Sequence, residues 1–557
     1  TQQPSWPGTH PIIREFEDFG FYETERYNEL KSGRQWFGEQ FDTRLDATIQ
    51  FDVPGIVGGS SLKLVSHVMG QSFANANFKV FFNNVQVADQ PVLPIPNTQY
   101  GVKGSLRADT ITFASASVGA SAQTNQLIRY EFVKAASLRS IGYLDYFIFT
   151  CKRALALYGK QTRFSSEASL SNAITTFEIS ALSAESRVWD ISDRLNPKSQ
   201  TFSLQSGKGL FSAATTSLKS FMVFNSGAVD LATFEKKISN QNLREGPPVS
   251  LIIITAPDLQ SEAQRLATHR NQQGISSWVV TTNGIYHEFS GGKQDVVAIR
   301  DFIRHQYLRS GQLKNVLLLG RGSYDYKNRI ANNTNLVPLY MSRNSLSPLE
   351  TYSSDDFLGF LESNEGEWRE SPAQNHTLDI GIGRIPAKTI DEATIVVTKL
   401  IEYDTHPKRL GPWHKQILFV ADDGDFNIHH TQSNDLARNN FELPRPEFDV
   451  TRIWVDNFEQ TDRPSGQTSP ATYEALDQRI EKGALIVNFT GHGSEQIWMQ
   501  ERALDENMIV NWRNRPYYPL FVTATCEFGR HDDPQQISSG EKTLLKKNGG
   551  TIGLVTT

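Results

Sequence analysis

Ala484-Leu485-Ile486-Val487-Asn488-Phe489, running through Thr490-Gly491 into His492-Gly493-Ser494, and Pro519-Leu520-Phe521-Val522-Thr523-Ala524, running through Thr525 into Cys526, decide the fold. Short continuous apolar runs bounded by Gly, Pro and polar residues read as strands buried on both faces, which occur mainly in parallel sheets. Such sheets carry ligands at the carboxyl ends of their strands. A histidine ends one run and a cysteine the other, 34 positions apart. Residues so distant in sequence meet in space if the strands are neighbours, giving a candidate cysteine-nucleophile dyad.

The alternation that these strands belong to extends well upstream. From Arg244-Glu245-Gly246-Pro247-Pro248 onward, strand-like and helix-like stretches take turns: Val249 to Thr255, an amphipathic stretch from Asp258, Ser277 to Thr281, a helix from Gln294 to Leu308, and Asn315 to Gly320. A strand from Leu378 to Ile382 and a helix from Thr389 to Asp404 close this half. Pro407 and Gly411-Pro412 separate it from a second half, with a strand from Gln416 to Ala421, a helix near Thr431 to Asn440, a strand from Val450 to Val455 and a helix from Ala471 to Lys482. The His492 and Cys526 strands, a helix from Ser538 to Lys547 and a strand from Thr551 to Val555 complete it. This is the βαβ signature of an α/β fold. The long polar loop from Arg321 to Tyr352 is expected to form a functional surface rather than a packed one.

The first 245 residues read differently. Thr48–Val53, Leu62–Val68, Phe78–Phe82, Leu127–Val133 and Tyr143–Phe149 cluster or alternate as strands do, between turns such as Pro54-Gly55, Gly58-Gly59 and Asn83-Asn84. An antiparallel sandwich of jelly-roll type is expected there. Nothing chemical concentrates in it: His67 reads as a packed or surface histidine, and Trp6, Trp36 and Trp189 as core or interface anchors. The expected organisation is therefore a β-rich region over 1–245, a first α/β half over 246–411 and a catalytic α/β half over 412–557.

Composition narrows the function. The 557 residues suffice for two to four domains. With 55 basic and 61 acidic side chains the net charge is −6, and no basic stripe interleaved with aromatics runs along the chain, so nucleic acid is not an expected partner. Mean hydropathy is −0.41, with no apolar run of roughly 18 residues that would read as a transmembrane helix. The opening Thr1-Gln2-Gln3 and a close on a strand-like run suggest that sequence has been removed or left out at both ends. Cys151 and Cys526 are too few for a disulfide framework and are expected to be free thiols.

A cysteine attacks as its thiolate, and a histidine, with an ordinary pKa of about 6.5, suits the task of holding the thiol proton. His492 can take that part for Cys526. Gly491 and Gly493 let the backbone turn sharply, and the N–H groups of Gly493 and Cys526 are candidates for an oxyanion hole. The implied chemistry is acyl transfer through a thioester. The plainer alternative makes Gly-His-Gly a tight turn and Cys526 a buried small hydrophobe.

A third group should orient the imidazole, and Asp422-Asp423-Gly424-Asp425 follows its own strand at the same edge if the strands are parallel. Those acids could instead bind a structural Ca²⁺, although their spacing is not that of an EF-hand, or form a solvated turn. His429-His430 and Asp355-Asp356 make poor metal pairs, and Gly320-Arg321-Gly322-Ser323 lacks the Gly-Lys-Ser/Thr ending of a phosphate loop. Metal catalysis is not supported.

With Asn488-Phe489-Thr490-Gly491-His492-Gly493-Ser494-Glu495 and Thr523-Ala524-Thr525-Cys526 in view, the sequence resembles the gingipain family of cysteine peptidases, whose fold is caspase-like. The likeness runs from about Pro248 to the end and includes Gly381-Ile382-Gly383-Arg384 and Gly549-Gly550-Thr551-Ile552-Gly553. It implies Cys526 and His492 as the dyad and Asp423 as the supporting acid, with Asp422 the second choice, and no required cofactor. Trp36-Phe37-Gly38-Glu39, Gly142-Tyr143-Leu144-Asp145-Tyr146 and Ile238-Ser239-Asn240-Gln241-Asn242-Leu243 are similar to the sortase members of the family in the type IX secretion system.

That resemblance implies an enzyme on the extracellular face of a Gram-negative outer membrane. Such an enzyme removes C-terminal sorting signals from secreted proteins, passes the thioester to an amine of anionic lipopolysaccharide and docks to the outer-membrane protein PorV. One departure stands out: the stretch matching the primary specificity pocket of Arg-specific gingipains, near His429-His430-Thr431, has no acid, so a preference for arginine is not expected. The competing readings are an endopeptidase that only hydrolyses and an inert caspase-fold scaffold.

Overall fold

A computed structural model describes residues 2–136, 139–366, 376–464 and 466–556. The chain divides into two compact units. One takes Thr1–Leu30, Gln35–Ile238 and Asn344–Glu350, and the other Lys31–Arg34, Ser239–Arg343 and Thr351–Thr557.

The first unit holds two β-sandwiches where the sequence reading expected one. In the first, a sheet ordered Glu15–Glu23, Ser140–Ala154, Ser61–Ser72 and Ser105–Ala114 shares a core with a sheet ordered Asp46–Asp52, Asn125–Val133, Ala76–Phe82 and Val85–Val92. Period-two alternation builds it: Leu62, Leu64 and Val68 all point inward from one strand and meet Phe78, Phe82 and Phe149. The second sandwich is closed by Phe164, Phe177, Phe211 and Phe221 and consists of short strands between residues 161 and 225, joined by Gln2–Gln3 and Ile12–Ile13. Strands so short, several of them three to five residues long, give little periodic signal, so the division into two sandwiches is not legible in the sequence.

The second unit carries two parallel sheets. The elements of the first are β1 (Leu251–Thr255), α1 (Gln260–Gln272), β2 (Ser277–Thr281), α2 (Thr282–Phe289), α3 (Val296–Ser310), β3 (Asn315–Leu319), β4 (Gly381–Ile385) and α4 (Ile390–Thr405), with strand order β2-β1-β3-β4. The second contains β5 (Gln416–Ala421), α5 (Gly424–Ala437), β6 (Asp449–Trp454), α6 (Pro470–Lys482), β7 (Ile486–Thr490), α7 (Glu506–Asn511), β8 (Leu520–Ala524), α8 (Ser539–Leu545) and β9 (Gly553–Thr556). Its strand order is β6-β5-β7-β8-β9. Every pairing in both sheets is parallel, and the central strands are buried, as their unbroken apolar runs require.

Local chemistry sets the helix ends. Pro470 opens α6 where a missing N–H costs nothing, and Gly483 ends it at φ 92°. Ser538 and Glu541 form a capping box on α8, and Asp295 caps α3 through the Val297 N–H at 2.8 Å.

Three further segments differ from expectation. The strand expected over 378–382 is β4, Gly381–Ile385, because Asp379 is taken up by Gly359 and Leu361: its N–H donates to the Gly359 carbonyl and its carboxylate accepts the Leu361 N–H. Helix α2 lies where no helix is expected, since Thr282-Asn283-Gly284 reads as a turn until Thr281 caps it. The stretch from Arg321 is packed rather than a polar surface: Arg321, Ser323 and Asp325 are buried, and the Arg321 guanidinium makes a two-pronged ion pair with Glu541 of α8 at 2.7 and 3.0 Å.

Candidate active site

Register brings three strand ends into line. Ala421 of β5 pairs with Thr490 of β7, which pairs with Ala524 of β8. The residues that follow, Asp422-Asp423, Gly491-His492 and Thr525-Cys526, therefore leave the sheet side by side at its carboxyl edge. The ladder persists one step further, with the Asp422 N–H donating to the Thr490 carbonyl and the Gly491 N–H to that of Ala524, each at 3.2 Å.

Close packing keeps the His and Cys segments together. A Cβ on Gly493 would fall 2.4 Å from Oγ1 of Thr525 and 2.9 Å from the Ile497 carbonyl, so only glycine fits where the histidine turn lies against the cysteine segment. Gly491 has φ 156° and backs onto Asp422, whose Cβ would lie 2.3 Å from an added Cβ. Beneath the turn, Trp498 is fully buried, stacked on Phe489 of β7 at 4.5 Å and touching Phe528, two residues past the cysteine, at 5.4 Å. The Arg530 guanidinium ties the same two segments by reaching Glu495 at 3.1 Å and Asp532 at 2.9 Å. The candidate oxyanion N–H groups, on Gly493 and Cys526, thus belong to segments in contact.

Cys526 is exposed, which removes the plain reading of it as a buried hydrophobe. Glu527 beside it adopts φ 56°, the left-handed conformation of a sharp turn, which presents the cysteine at the edge. The other thiol, Cys151, is buried in the first unit, and burial pushes its pKa up to about 12. Both cysteines are free, as expected.

The acids divide their work in a way the sequence did not indicate. Nε2 of His492 lies 3.0 Å from Oδ2 of Asp425, and the ring of His429 stands edge-on to that of His492 at 5.3 Å. Asp422 accepts the His492 backbone N–H at 2.9 Å. Asp423, expected to support the histidine, instead accepts a hydrogen bond from the Gln460 amide at 2.9 Å. The difference arises at Asp425, Phe426 and Asn427, whose φ of 55°, 58° and 63° swing the Asp425 side chain back over the histidine before α5 settles into regular helix. With Nε2 so engaged, Nδ1 is the nitrogen left for a thiol.

The remaining candidates fall elsewhere. His67 stacks on Tyr146 inside the first unit and accepts or donates one hydrogen bond to its hydroxyl, with burial lowering its pKa. Asp355 is bound to Arg384 at 2.7 Å. His430 lies over Trp454 and 3.8 Å from Asp456, so the two adjacent histidines serve different neighbours. Glu501, which sequence reasoning passed over, is buried beside Asp422 and Asp423.

An all-parallel sheet with a histidine and a cysteine at the carboxyl ends of neighbouring central strands, steadied by a carboxylate from the next strand, is the layout of a caspase-like cysteine peptidase. The chain belongs to peptidase family C25, whose family model matches residues 244–557.

Among solved structures, the chain is similar to dimeric latent PorU from Porphyromonas gingivalis, with a TM-score of 0.61 and 20% identity, over 72% of this chain and 39% of PorU. It thus spans about two fifths of that relative's length. Weaker matches are the Arg-specific cysteine proteinase gingipain R, with a TM-score of 0.41, 18% identity and coverage of 57% of this chain and 64% of the other. The RgpB pro- and mature-domain complex of Porphyromonas gingivalis gives a TM-score of 0.40, 17% identity and 55% and 63% coverage. No curated protein sequence matches. The likeness to PorU is one of fold, and it extends beyond the family region into the β-rich part.

Proposed function

We propose that the chain is a cell-surface cysteine transpeptidase, a sortase that cleaves C-terminal sorting signals from proteins of the type IX secretion system and transfers the trimmed protein to an amine of anionic lipopolysaccharide. The observation that carries its peptidase chemistry is the alignment of Thr490 with Ala524, which sets His492 and Cys526 at one edge. Its sortase character rests on the PorU-like fold together with the N-terminal motifs around Trp36, Gly142 and Ile238.

In this reading Nδ1 of His492 takes the Cys526 thiol proton, with Asp425 favouring the resulting imidazolium. The thiolate attacks the scissile carbonyl carbon, and the N–H groups of Gly493 and Cys526 receive the developing oxyanion. As the C–N bond breaks, the imidazolium returns its proton to the leaving amine and the acyl group stays on sulfur. An acceptor amine then attacks the thioester, gives up a proton to His492 and releases the thiolate. The reaction balances without metal or redox cofactor.

The enzyme would act on the extracellular face of the outer membrane, docked to PorV. Among the described residues no helix is long and apolar enough to cross a membrane.

The test supplies the purified chain with a protein bearing a type IX C-terminal signal and the lipopolysaccharide amine, and weighs the products. A conjugate that disappears in Cys526→Ala supports transfer. Cleavage that yields only the free acid with that acceptor present assigns the chain to hydrolysis instead.

A further inference from the structure

Beside the dyad, and separate from its ring contacts, three carboxylates converge. Asp422 and Asp423 open the turn after β5, and Glu501 comes from the loop between β7 and α7. Asp422 and Glu501 are each 4% exposed, Asp423 is half-buried, and one oxygen from each lies within 4.8 Å of the others. Oε2 of Glu501 is buried without any hydrogen-bond partner.

The donors present are neutral: the backbone N–H of His492 to Asp422 at 2.9 Å, that of Gly424 to Asp422 at 3.4 Å and the Gln460 amide to Asp423 at 2.9 Å. The nearby imidazoles pair elsewhere, His429 with Asp425 and His430 with Asp456. Among the described residues no lysine or arginine pairs with the three acids. A buried carboxylate cluster without a countercharge is strongly unfavourable.

We infer that Asp422, Asp423 and Glu501 form a Ca²⁺ site at the base of the catalytic histidine turn. The donor set is all oxygen, which selects a hard cation over zinc or copper. Calcium takes oxygens at about 2.3–2.6 Å, so two of its ligands lie at most about 5 Å apart, in keeping with the spacing seen here. Three carboxylates supply part of the sphere, leaving positions for water and carbonyl oxygens. Because Asp422 also holds the His492 N–H, the ion would bind the Glu501 loop to the β5 turn and fix the backbone of the histidine. That consequence for catalysis rests on the peptidase reading, whereas the binding itself does not.

The test uses the whole chain, stripped with EDTA and dialysed, and follows Tb³⁺ luminescence sensitised by tryptophan alongside thermal denaturation. Ca²⁺ is expected to displace Tb³⁺, more effectively than Mg²⁺ does, and to raise Tm by a few degrees. Glu501→Gln and Asp423→Asn, each keeping the side chain's shape, should fold with unchanged circular dichroism, weaken Ca²⁺ binding at least about tenfold and abolish the Tm rise. Equal Tm in EDTA and in Ca²⁺ would overturn the assignment. So would Ca²⁺ affinity unchanged in both variants, which would place the ion elsewhere. Neither readout uses peptidase activity, so a failure here leaves the dyad standing.

Discussion

Nε2 of His492 sits 3.0 Å from Oδ2 of Asp425, while Asp422, three residues earlier in the same turn, holds the His492 backbone N–H. One turn thus orients the imidazole from its ring and anchors it from its main chain. Asp425 is exposed, so its effect on the ring is one of direction and hydrogen bonding more than of long-range field.

Asp425→Asn should therefore leave the fold intact and slow the chemistry. The rate at which a peptide chloromethyl ketone alkylates Cys526 is expected to fall by on the order of 10²-fold, the usual scale for losing general-base assistance. A rate within twofold of wild type would show that Asp425 is a bystander.

Gly493→Ala tests the contact that joins the two segments. Its methyl would lie 2.4 Å from Thr525 Oγ1 and 2.9 Å from the Ile497 carbonyl, so the turn must lift away from Cys526. Alkylation should drop by about 10²-fold, as for an ångström-scale misplacement of reacting groups, and Thr525→Ala should restore it only in part because the Ile497 carbonyl still blocks the methyl. Unchanged alkylation in Gly493→Ala would mean that the two segments do not need this approach.

The Arg321–Glu541 pair is buried on both sides, at 0% and 2% exposure. Arg321→Ala leaves the Glu541 charge without its partner and is expected to cost about 3–5 kcal/mol in urea unfolding. The double variant Arg321→Met, Glu541→Leu should recover part of that loss. Recovery stays incomplete because Glu541 also accepts the Ser538 N–H in the capping box of α8.

Lys399 of α4 is buried among the carbonyls of Thr543, Leu544 and Gly549, and burial pulls its pKa down from 10.5 to about 7. Between those two values the unfolded chain holds a proton that the folded chain has released. Stability should thus rise with pH from about 7 toward 10.5, by a few kcal/mol at most, and level off below 7. The difference in unfolding free energy between wild type and Lys399→Met, measured at pH 7 and pH 9.5, isolates this group. A difference that does not change with pH would refute it.

Much of the second unit can be read from apolar runs alone. Its buried strands leave unbroken Val, Ile, Leu and Phe stretches, and the observed ends of β5, β7 and β8 lie within two residues of those expected. His492 and Cys526 were visible for the same reason, since each follows such a run. What the sequence hides is geometry that depends on tertiary contacts. β4 moved because Asp379 found partners outside the ladder, and the ring's acid became Asp425 because three left-handed residues turn it back. Glu501 had no signal at all: it is a lone acid in a loop, made notable only by the burial that sets it beside Asp422 and Asp423.

Intact-mass and peptide mass spectrometry of the chain, quenched during turnover of a substrate, shows whether Cys526 carries the acyl group and whether His492 activates it. An acyl adduct is expected on Cys526, absent in Cys526→Ala and formed far more slowly in His492→Ala. Substrate cleaved while Cys526 stays unmodified, or an adduct that forms equally fast without His492, would rule out His492 and Cys526 as a working pair.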